Sequence, residues 1–266
     1  MIMYDQNTIS NAIHTKWAGK TVHFVKETDS TNEWAKRLSR QGAPHGTLAA
    51  AEFQSAGKGR LGRRWTAPEG SSVMMSILLR PSFAPSYASM LTLVMGLSTA
   101  QALESLGPDV SVKWPNDVVL SRKKVCGILT EMGLENGKIR EVVIGVGINV
   151  NIEEFPAELT DKATSLFLET GRKYDRNDLI GRVLENFERN YEKFVSTCDL
   201  SLMLEDYQRL LANRGQRVRV LDKKQPFEGK ALGIDKNGEL LVQTDAGELR
   251  AVRGGEVSVR GLYSYV

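Results

Sequence analysis

Cysteine and histidine are scarce in this chain, which limits the chemistry open to it. Its 266 residues include two cysteines, Cys126 and Cys198, and three histidines, His14, His23 and His45. Their spacing matches neither a disulfide framework nor a zinc-binding motif. The sequence therefore predicts no zinc centre and a reducing, cytoplasmic location.

Long apolar runs and a strong net charge are absent as well. The N-terminus has no basic region followed by an apolar segment, so we expect no signal peptide. The longest mostly apolar stretch, residues 90–103, contains Thr, Ser and Gln and is too short to span a bilayer. The formal net charge is only +3, so recognition of charged ligands must rest on local clusters. These absences predict a protein without membrane or nucleic-acid partners.

What remains is the composition of an ordinary globular protein, with 41% hydrophobic and 25% charged residues. Up to residue 214, helical and strand patterns alternate, and a β-branched run at residues 141–151 predicts a central strand. From residue 215 onward, short strands are separated by turn signals such as DKNG at residues 235–238. We therefore expect an α+β domain at residues 1–214 and a small all-β domain at residues 215–266.

The periodicity of apolar residues also predicts the individual elements. We expect helices at residues 4–18, after Ser30, at 88–106, at 175–197 and around 204–211. We expect the remaining strands at residues 21–25, 48–53, 72–79, 110–114, 118–120 and 125–131, then at 217–221, 227–234, 240–243, 249–252 and 257–260. Residues 30–33, STNE, fit a capping box, so Ser30 is expected to cap the helix that follows it.

The most unusual stretch is EFQSAGKGRLGRRW at residues 52–65. It contains three glycines and four cations, with no acidic residue after Glu52. Glycine lets a ligand approach the backbone closely, and lysine and arginine bind phosphate and carboxylate groups. We interpret the stretch as a loop that folds over a nucleotide or an acyl phosphate. Taken alone, it is also compatible with a solvated basic loop.

The letters GKGRLG match the dinucleotide fingerprint G-x-G-x-x-G, but their context does not. The fingerprint opens a helix, whereas RRWTAPEG leads into another loop. It also requires an acidic residue about 20 positions later, and residues 70–103 contain no Asp or Glu. No Gly-Lys-Ser/Thr completes a Walker A frame. Both nucleotide-binding motifs are therefore excluded.

Three shorter motifs are ambiguous on their own. KWPND at residues 113–117 follows a strand and is more often simply a turn. Lys124 belongs to a basic run that is typical of a solvated hairpin tip. GVGIN at residues 145–149 places Asn149 near the end of the central strand, where close packing or a bulge explains the two glycines.

Taken together and in this order, the motifs ETDSTN, EFQSAGKGRLGRRW, VKWPND, KKVCGILTE, GVGIN and GGEVSVR resemble those of biotin protein ligases. The resemblance runs from about Thr21 to the C-terminus. It implies a mixed β-sheet with flanking helices, of the kind shared with lipoate ligases, followed by an SH3-like β-barrel. It also implies a ligase that makes biotinyl-5′-AMP from biotin and Mg-ATP. The biotin then passes to one lysine of a biotin carboxyl carrier protein, an acetyl-CoA carboxylase subunit or similar.

The resemblance also implies a set of site residues. Those implied in binding are Ser30, Thr31, Asn32, Gln54, Gly57, Lys58, Gly59, Arg60, Trp65, Asn116, Lys124, Gly127, Asn149 and Arg260. Those implied in catalysis are Lys124, Arg60, Lys58 and Asp117, and Asp117 is also the candidate Mg²⁺ ligand. In this scheme Ser30, Thr31 and Gln54 would hydrogen-bond the ureido ring of biotin, and Trp65 would stack on adenine.

Two features depart from the family pattern. Lys58 stands where the commoner loop has arginine, which keeps the charge but loses the bidentate fork. Only 26 residues precede Glu27, too few for the helix-turn-helix module of family members that double as repressors. We therefore expect a monofunctional ligase that binds no operator DNA.

Two alternative functions and the oligomeric state remain open. A lipoate or octanoate ligase would share the fold, and a biotin-responsive transcriptional regulator would belong to another functional class. Relatives often dimerise by sheet extension, so a homodimer with an edge strand near residues 141–144 is a further expectation.

Overall fold

The computed structural model describes residues 3–221, 225–254 and 258–261. Within them the helices are α1 (Gln6–Asn11), α2 (Thr31–Arg40), α3 (Leu91–Glu104), α4 (Leu166–Thr170), α5 (Arg176–Thr197) and α6 (Leu204–Leu210). The strands are β1 (Val22–Thr28), β2 (Thr47–Gln54), β3 (Ser72–Leu79), β4 (Val110–Lys113), β5 (Asp117–Leu120), β6 (Lys123–Glu135), β7 (Lys138–Asn149), β8 (Arg217–Leu221), β9 (Phe227–Ile234), β10 (Leu240–Gln243), β11 (Leu249–Val252) and β12 (Ser258–Gly261).

Strands β1 to β7 form one mixed sheet, in the order β1-β2-β3-β7-β6-β5-β4. The β1–β2 pair is parallel and every other neighbouring pair in this sheet is antiparallel. Every residue of β3 is buried, because α3 and α5 cover one face of the sheet and α2 covers the other. The expected α+β fold with a mixed sheet and flanking helices is confirmed.

Strand β7 lies at the centre of this sheet, as its β-branched sequence predicted. Residues 142–144 pair with β3 on one side and with β6 on the other. The expectation of an edge strand near residues 141–144 is therefore wrong, because both backbone edges there are occupied. Among the described strands, the part of β6 beyond Gly127 has only β7 as a neighbour, since the pairing with β5 ends at that glycine.

The helix beginning at Thr31 has the predicted position but not the predicted cap. Ser30 has extended backbone angles at the N-cap, and its side chain makes no capping hydrogen bond. The Thr31 amide donates instead to Oε1 of Gln54, at 2.7 Å. The capping-box prediction at Ser30 is therefore wrong, and a side chain from β2, distant in sequence, satisfies the first amide of the helix instead.

The first helix is shorter than the predicted residues 4–18. It ends at Asn11, and the chain then turns so that the amides of Lys16, Trp17 and Ala18 donate to the Glu188 carboxylate at 2.7–2.9 Å. These charge-assisted bonds replace helical ones. The predicted helix at residues 88–106 likewise divides into a 3₁₀ turn, Pro85–Met90, and α3.

The five C-terminal strands form a second sheet, antiparallel throughout, in the order β11-β10-β9-β8-β12. Four of its strands have the predicted bounds. The fifth begins at Ser258, and residues 255–257 of the GGEVSVR motif, like residues 262–266, lie outside the described residues. The Trp114 indole nitrogen donates to the Gly238 carbonyl at 3.0 Å and so links the two sheets. No helix among the described residues is long and apolar enough to cross a membrane.

Candidate active site

The cationic glycine loop forms a short hairpin between β2 and β3. The Trp65 amide donates to the Gly57 carbonyl at 3.0 Å, and the Gly59 amide donates to the Arg63 carbonyl at 2.7 Å. Gly57 has to be glycine because a Cβ there would overlap the Trp65 carbonyl. Leu61 turns the tip with a positive φ of 58°. The loop is therefore a defined hairpin that carries its cations over the sheet.

Glycines on β6 and β7 form the floor beneath this loop. The indole of Trp65 lies so close to the backbone that a Cβ at Gly147 would overlap it, and a Cβ at Gly127 would touch both the indole and the Lys124 side chain. A Cβ at Gly145 would overlap the Asn32 amide. The glycines are therefore explained by close packing, one of the two readings that the sequence left open.

One end of the resulting cavity is polar and lined by buried side chains. Thr31 and Asn32, at the start of α2, and Gln54, at the end of β2, are at most 9% exposed. Gln54 Oε1 accepts from the Thr31 amide and from its hydroxyl at 3.1 Å, and Ser76 Oγ bonds both Thr31 Oγ1 at 2.8 Å and Asn32 Oδ1 at 2.6 Å. Such a network presents fixed donors and acceptors to a polar ligand.

The other end is cationic and is built by the β5–β6 hairpin. Lys124 Nζ lies 2.6 Å from Asp117 Oδ1, which also accepts from the Asn116 amide at 3.0 Å. The same ammonium lies 5.7 Å from the centroid of the Trp65 ring. Lys124 is therefore held between a carboxylate and an aromatic face.

Further cations surround this end. Burial lowers the pKa of Arg60, which the nearby Asp117 carboxylate opposes. Burial also lowers the pKa of Lys113 to about 8; Asp117 opposes this shift, whereas Arg260 and other nearby cations add to it. Lys113 is paired with Asp117 in the β4–β5 register. Several positive charges around one carboxylate favour the binding of an anion.

Lys58 has a different environment from the other loop cations. Its ammonium lies 2.6 Å from Oε1 of Glu33, in the first turn of α2. Hydrogen bonds from Lys58 and then from Lys36 lower the pKa of Glu33. Lys58 thus lines the cavity while its charge is directed to the helix beside it.

The structure brings most of the predicted site residues to one cavity. Those that line it are Ser30, Thr31, Asn32, Gln54, Lys58, Gly59, Arg60, Trp65, Asn116, Lys124 and Gly127. Four others do not line it, namely Gly57, Asp117, Asn149 and Arg260. Gly57 lies in the stem of the loop, and Asp117 contacts the ammonium of Lys124. Asn149 is buried and its amide donates to the Thr164 carbonyl at 3.0 Å. Arg260 lies on β12, opposite Arg219 of β8.

The sequence interpretation missed several residues that build this site. Gly145 and Gly147 are not among the predicted site residues, although their spacing of two places both on the face of β7 beneath the loop. Ser76, which bonds Thr31 and Asn32, gave no signal because it lies within the mostly apolar strand β3. For Glu33 the sequence suggests only a part in the capping box, and nothing in it indicates the contact with Lys58.

A magnesium site is only partly provided by protein groups. Among the residues that the structure describes, no cluster of three or more His, Cys, Asp or Glu side chains could hold a metal ion. Asp117 Oδ1 is already engaged by Lys124 and Asn116. Mg²⁺ often uses only one or two carboxylates together with substrate phosphates. The donor set therefore fits an ion that arrives with a nucleotide, with Asp117 as a single protein ligand.

Comparisons with known proteins find a matching family model for each of the two sheets. The model described as the Biotin/lipoate A/B protein ligase family matches residues 24–149, and that described as the Biotin protein ligase C terminal domain matches residues 215–260. The solved structure of the biotin protein ligase from Aquifex aeolicus, in complex with biotin and ATP, superposes with a TM-score of 0.79 and 34% identity. It covers 91% of this chain and 99% of that one.

Relatives that are named as ligases match most of this chain. The bifunctional ligase/repressor BirA of Bacillus subtilis is 38% identical over 247 residues, which are 91% of this chain and 75% of the relative. The biotin–[acetyl-CoA-carboxylase] ligase of Mycobacterium tuberculosis is 33% identical over 248 residues, 90% of this chain and 88% of the relative.

Proposed function

This chain belongs to the biotin protein ligase family, and we propose that it activates biotin with ATP and transfers it to a lysine of a biotin carboxyl carrier protein. Similarity at 33–38% identity over about nine-tenths of the chain supports this assignment. The observation that carries it is the cavity itself, which has a buried polar end and a cationic end.

The polar end suits the ureido ring of biotin, whose carbonyl and two N–H groups need fixed partners. Ser30, Thr31 and Gln54 would supply those partners, with Asn32 beside them. A site built on buried hydrogen bonds discriminates strongly, because an analogue without the matching groups leaves them unpaired. Lipoate has no ureido group, so this end of the cavity favours biotin as substrate.

In the first step, a carboxylate oxygen of biotin attacks the α-phosphorus of ATP. A new phosphorus–oxygen bond forms, the bond from the α-phosphorus to the bridging oxygen breaks, and pyrophosphate leaves. Both reactants are anionic, so their repulsion opposes the approach. Lys124 and Arg60 would lower that barrier, because fixed cations stabilise the charge that develops in the transition state.

In the second step, the ε-amine of the carrier lysine attacks the acyl carbon of biotinyl-5′-AMP. The carbon–oxygen bond to the phosphate breaks, AMP leaves, and the amine loses a proton as the amide forms. The anhydride is already activated, so the protein has mainly to position it and to exclude water. The hairpin of residues 57–65 would do both by closing over the adenylate.

Other residues would hold the nucleotide. Trp65 would stack on the adenine, Asn116 and Asn149 would help to hold the nucleotide, and Arg260 would reach the phosphates from β12. When it is bound, Mg²⁺ would neutralise phosphate charge, with Asp117 as its protein ligand. Gly57, Gly59 and Gly127 would let the loop and the floor approach the ligand closely.

Three larger-scale features also belong to this proposal. We place the catalytic domain at residues 1–214 and an SH3-like barrel at residues 215–266, and the strand order β11-β10-β9-β8-β12 supports such a barrel. We place the protein in the cytoplasm, where its carrier substrate would be made. If the protein forms a homodimer, the edge of β6 beyond Gly127 is the candidate contact.

One assay tests the activity. The protein is incubated with ATP, Mg²⁺, a biotin carboxyl carrier domain and either biotin or lipoate, and the carrier is examined for acylated lysine by mass spectrometry. We expect a mass increase with biotin and none with lipoate. Labelling by lipoate alone would assign the chain to the lipoate ligases instead. Adenylate formation without transfer, together with specific promoter binding, would identify a biotin-responsive regulator.

A further inference from the structure

The loop residue Lys58 begins a chain of alternating charges that runs along α2. Its ammonium pairs with Glu33 Oε1 at 2.6 Å, and the same oxygen accepts from Lys36 Nζ at 3.0 Å. Lys36 Nζ also lies 2.7 Å from Glu131 Oε1, on β6. Four charged side chains from the loop, the helix and the sheet are thus joined; we name Lys58, Glu33, Lys36 and Glu131 the charge chain.

The charge chain ends at a residue of the polar pocket. Glu131 Oε2 accepts from the side-chain nitrogen of Asn32, Nδ2, at 2.7 Å, and the same nitrogen also donates to the Leu129 carbonyl at 3.2 Å. These bonds turn the other side of the amide, Oδ1, toward Ser76 Oγ at 2.6 Å. The loop and the orientation of Asn32 therefore depend on one connected set of contacts.

Lys58 sits at the stem of the hairpin, where a contact has leverage on the whole loop. The backbone of Lys58 forms an antiparallel β-bridge with that of Arg64 across the stem. Arg60, two residues further along the chain, lines the cavity. Fixing Lys58 to α2 therefore fixes the position from which the tip extends. Three of the four members of the charge chain have side chains that are 21–28% exposed, and Lys58 is 49% exposed.

We propose that Glu33 and Lys36 are positioning residues that latch the glycine loop over the reactive adenylate through Lys58. In this arrangement Lys58 acts chiefly on the helix rather than on the ligand. The inference rests on the proposed function, since it requires an adenylate to retain.

The strength of the latch follows from its exposure. A single exposed ion pair contributes little, and a network with partly buried members contributes more. Loss of the Glu33 carboxylate removes the central member and leaves Lys36 and Lys58 unscreened from each other. We therefore expect Glu33→Gln to accelerate release of biotinyl-5′-AMP by about two- to fivefold.

The experiment measures release of radiolabelled biotinyl-5′-AMP into a chase of unlabelled biotin and ATP. Wild type, Glu33→Gln, Lys58→Gln and the double variant form a cycle. With a latch, Lys58→Gln and Glu33→Gln release faster by similar factors, and the double variant is no faster than the faster single variant. Lys58→Arg retains the adenylate as wild type does, because its guanidinium also pairs with Glu33.

The matched control is Arg37→Gln, which breaks the exposed ion pair with Asp29 on the same helix, at 2.7 Å. We expect it to release the adenylate at the wild-type rate. Raising the salt concentration from 0.05 to 0.5 M should accelerate release by a larger factor from wild type and from Arg37→Gln than from Glu33→Gln, because Glu33→Gln has already lost the exposed pairs of the latch that salt screens.

The outcomes separate this inference from the proposed function. If wild type forms no biotinyl-5′-AMP, the proposed function fails and the latch has no ligand. If wild type forms the adenylate but Glu33→Gln releases it at the wild-type rate, the latch is refuted. Additive effects of Lys58→Gln and Glu33→Gln would also refute it, because they would mean that Lys58 acts directly on the ligand.

Discussion

The ammonium of Lys124 lies 2.6 Å from the carboxylate of Asp117. The two residues lie on adjacent strands of the β5–β6 hairpin, so the backbone itself brings them together. The backbone amide and carbonyl of Lys124 also bond residues 162 and 164. An ammonium that is fixed in this way is ready to meet an anionic ligand without reorganisation.

Replacement of Lys124 should therefore remove most of the first step. We expect Lys124→Ala to lower the rate of biotin-dependent pyrophosphate release by at least about 100-fold, as for other residues that stabilise transition-state charge. Lys123→Ala, one residue away on the same hairpin, is the control and should retain the wild-type rate. A loss of less than about fivefold in Lys124→Ala would remove this lysine from the reaction centre.

Arg60 should matter more for holding the adenylate than for making it. It lines the cavity at the tip of the hairpin. Without its side chain the loop would lose a cation that we propose faces the phosphate, so biotinyl-5′-AMP would escape and acylate any lysine it meets. We expect Arg60→Gly to label a bystander protein such as serum albumin, detected by streptavidin blotting. Arg64→Gly, in the same loop, should not; equal bystander labelling by the two variants would contradict this role.

The floor of the site should tolerate no side chain at Gly147. A Cβ there would overlap the Trp65 indole, so Gly147→Ala has to displace that ring. We expect the KM for ATP to rise at least about tenfold, because Trp65 is the residue proposed to stack on the adenine and small misplacements in a preorganised site are costly. In a Trp65→Ala background the same substitution should have little further effect, since the overlapping ring is gone.

Gly96→Ala provides the matched control for this substitution. Gly96 lies inside α3, and a Cβ there would make ordinary contacts of 3.7 Å with Ile128 and Val112. Alanine is also the better helix former, so Gly96→Ala should leave the KM unchanged and the melting temperature equal or higher. An unchanged KM in Gly147→Ala would mean that Trp65 leaves the floor when ligand binds.

Nucleotide binding should depend on pH through Lys113. Burial lowers the pKa of Lys113 to about 8, with Asp117 opposing the shift and Arg260, Lys124 and Arg63 adding to it. A phosphate bound among these cations would favour the charged ammonium and raise that pKa. Below about pH 7 the ammonium is protonated with or without ligand, so affinity for ATP should be constant there.

Above pH 8 the unliganded protein loses this proton, and binding has to take it up again. We expect the Kd for ATP to rise between pH 8 and 9.5, and calorimetry in buffers of different ionisation enthalpy to detect proton uptake. Lys113→Met should bind ATP more weakly at pH 7 and lose most of the pH dependence. The same slope in wild type and Lys113→Met would assign the proton to another group.

The architecture was accessible from sequence where local pattern and tertiary environment agree. The bounds of β3 and of four C-terminal strands were predicted to the residue, because alternation and turn signals set where a strand can continue. The run at residues 141–151 predicted a central strand because only a strand that is covered on both faces can be apolar throughout. The prediction of an edge near residues 141–144 failed, since the partners of a strand are chosen by topology and not by its own residues.

The sequence by itself determined the fold class, the cationic loop and most of the side chains that line the cavity, because these follow from residue type, spacing and motif order. Only the tertiary structure decided that Gln54 and not Ser30 bonds the start of α2, that Gly145 and Gly147 are a floor for Asn32 and Trp65, and that Lys58 faces Glu33. These are contacts between residues that are distant along the chain. Their geometry is set by how the sheet, helix and loop pack together, which no local pattern encodes.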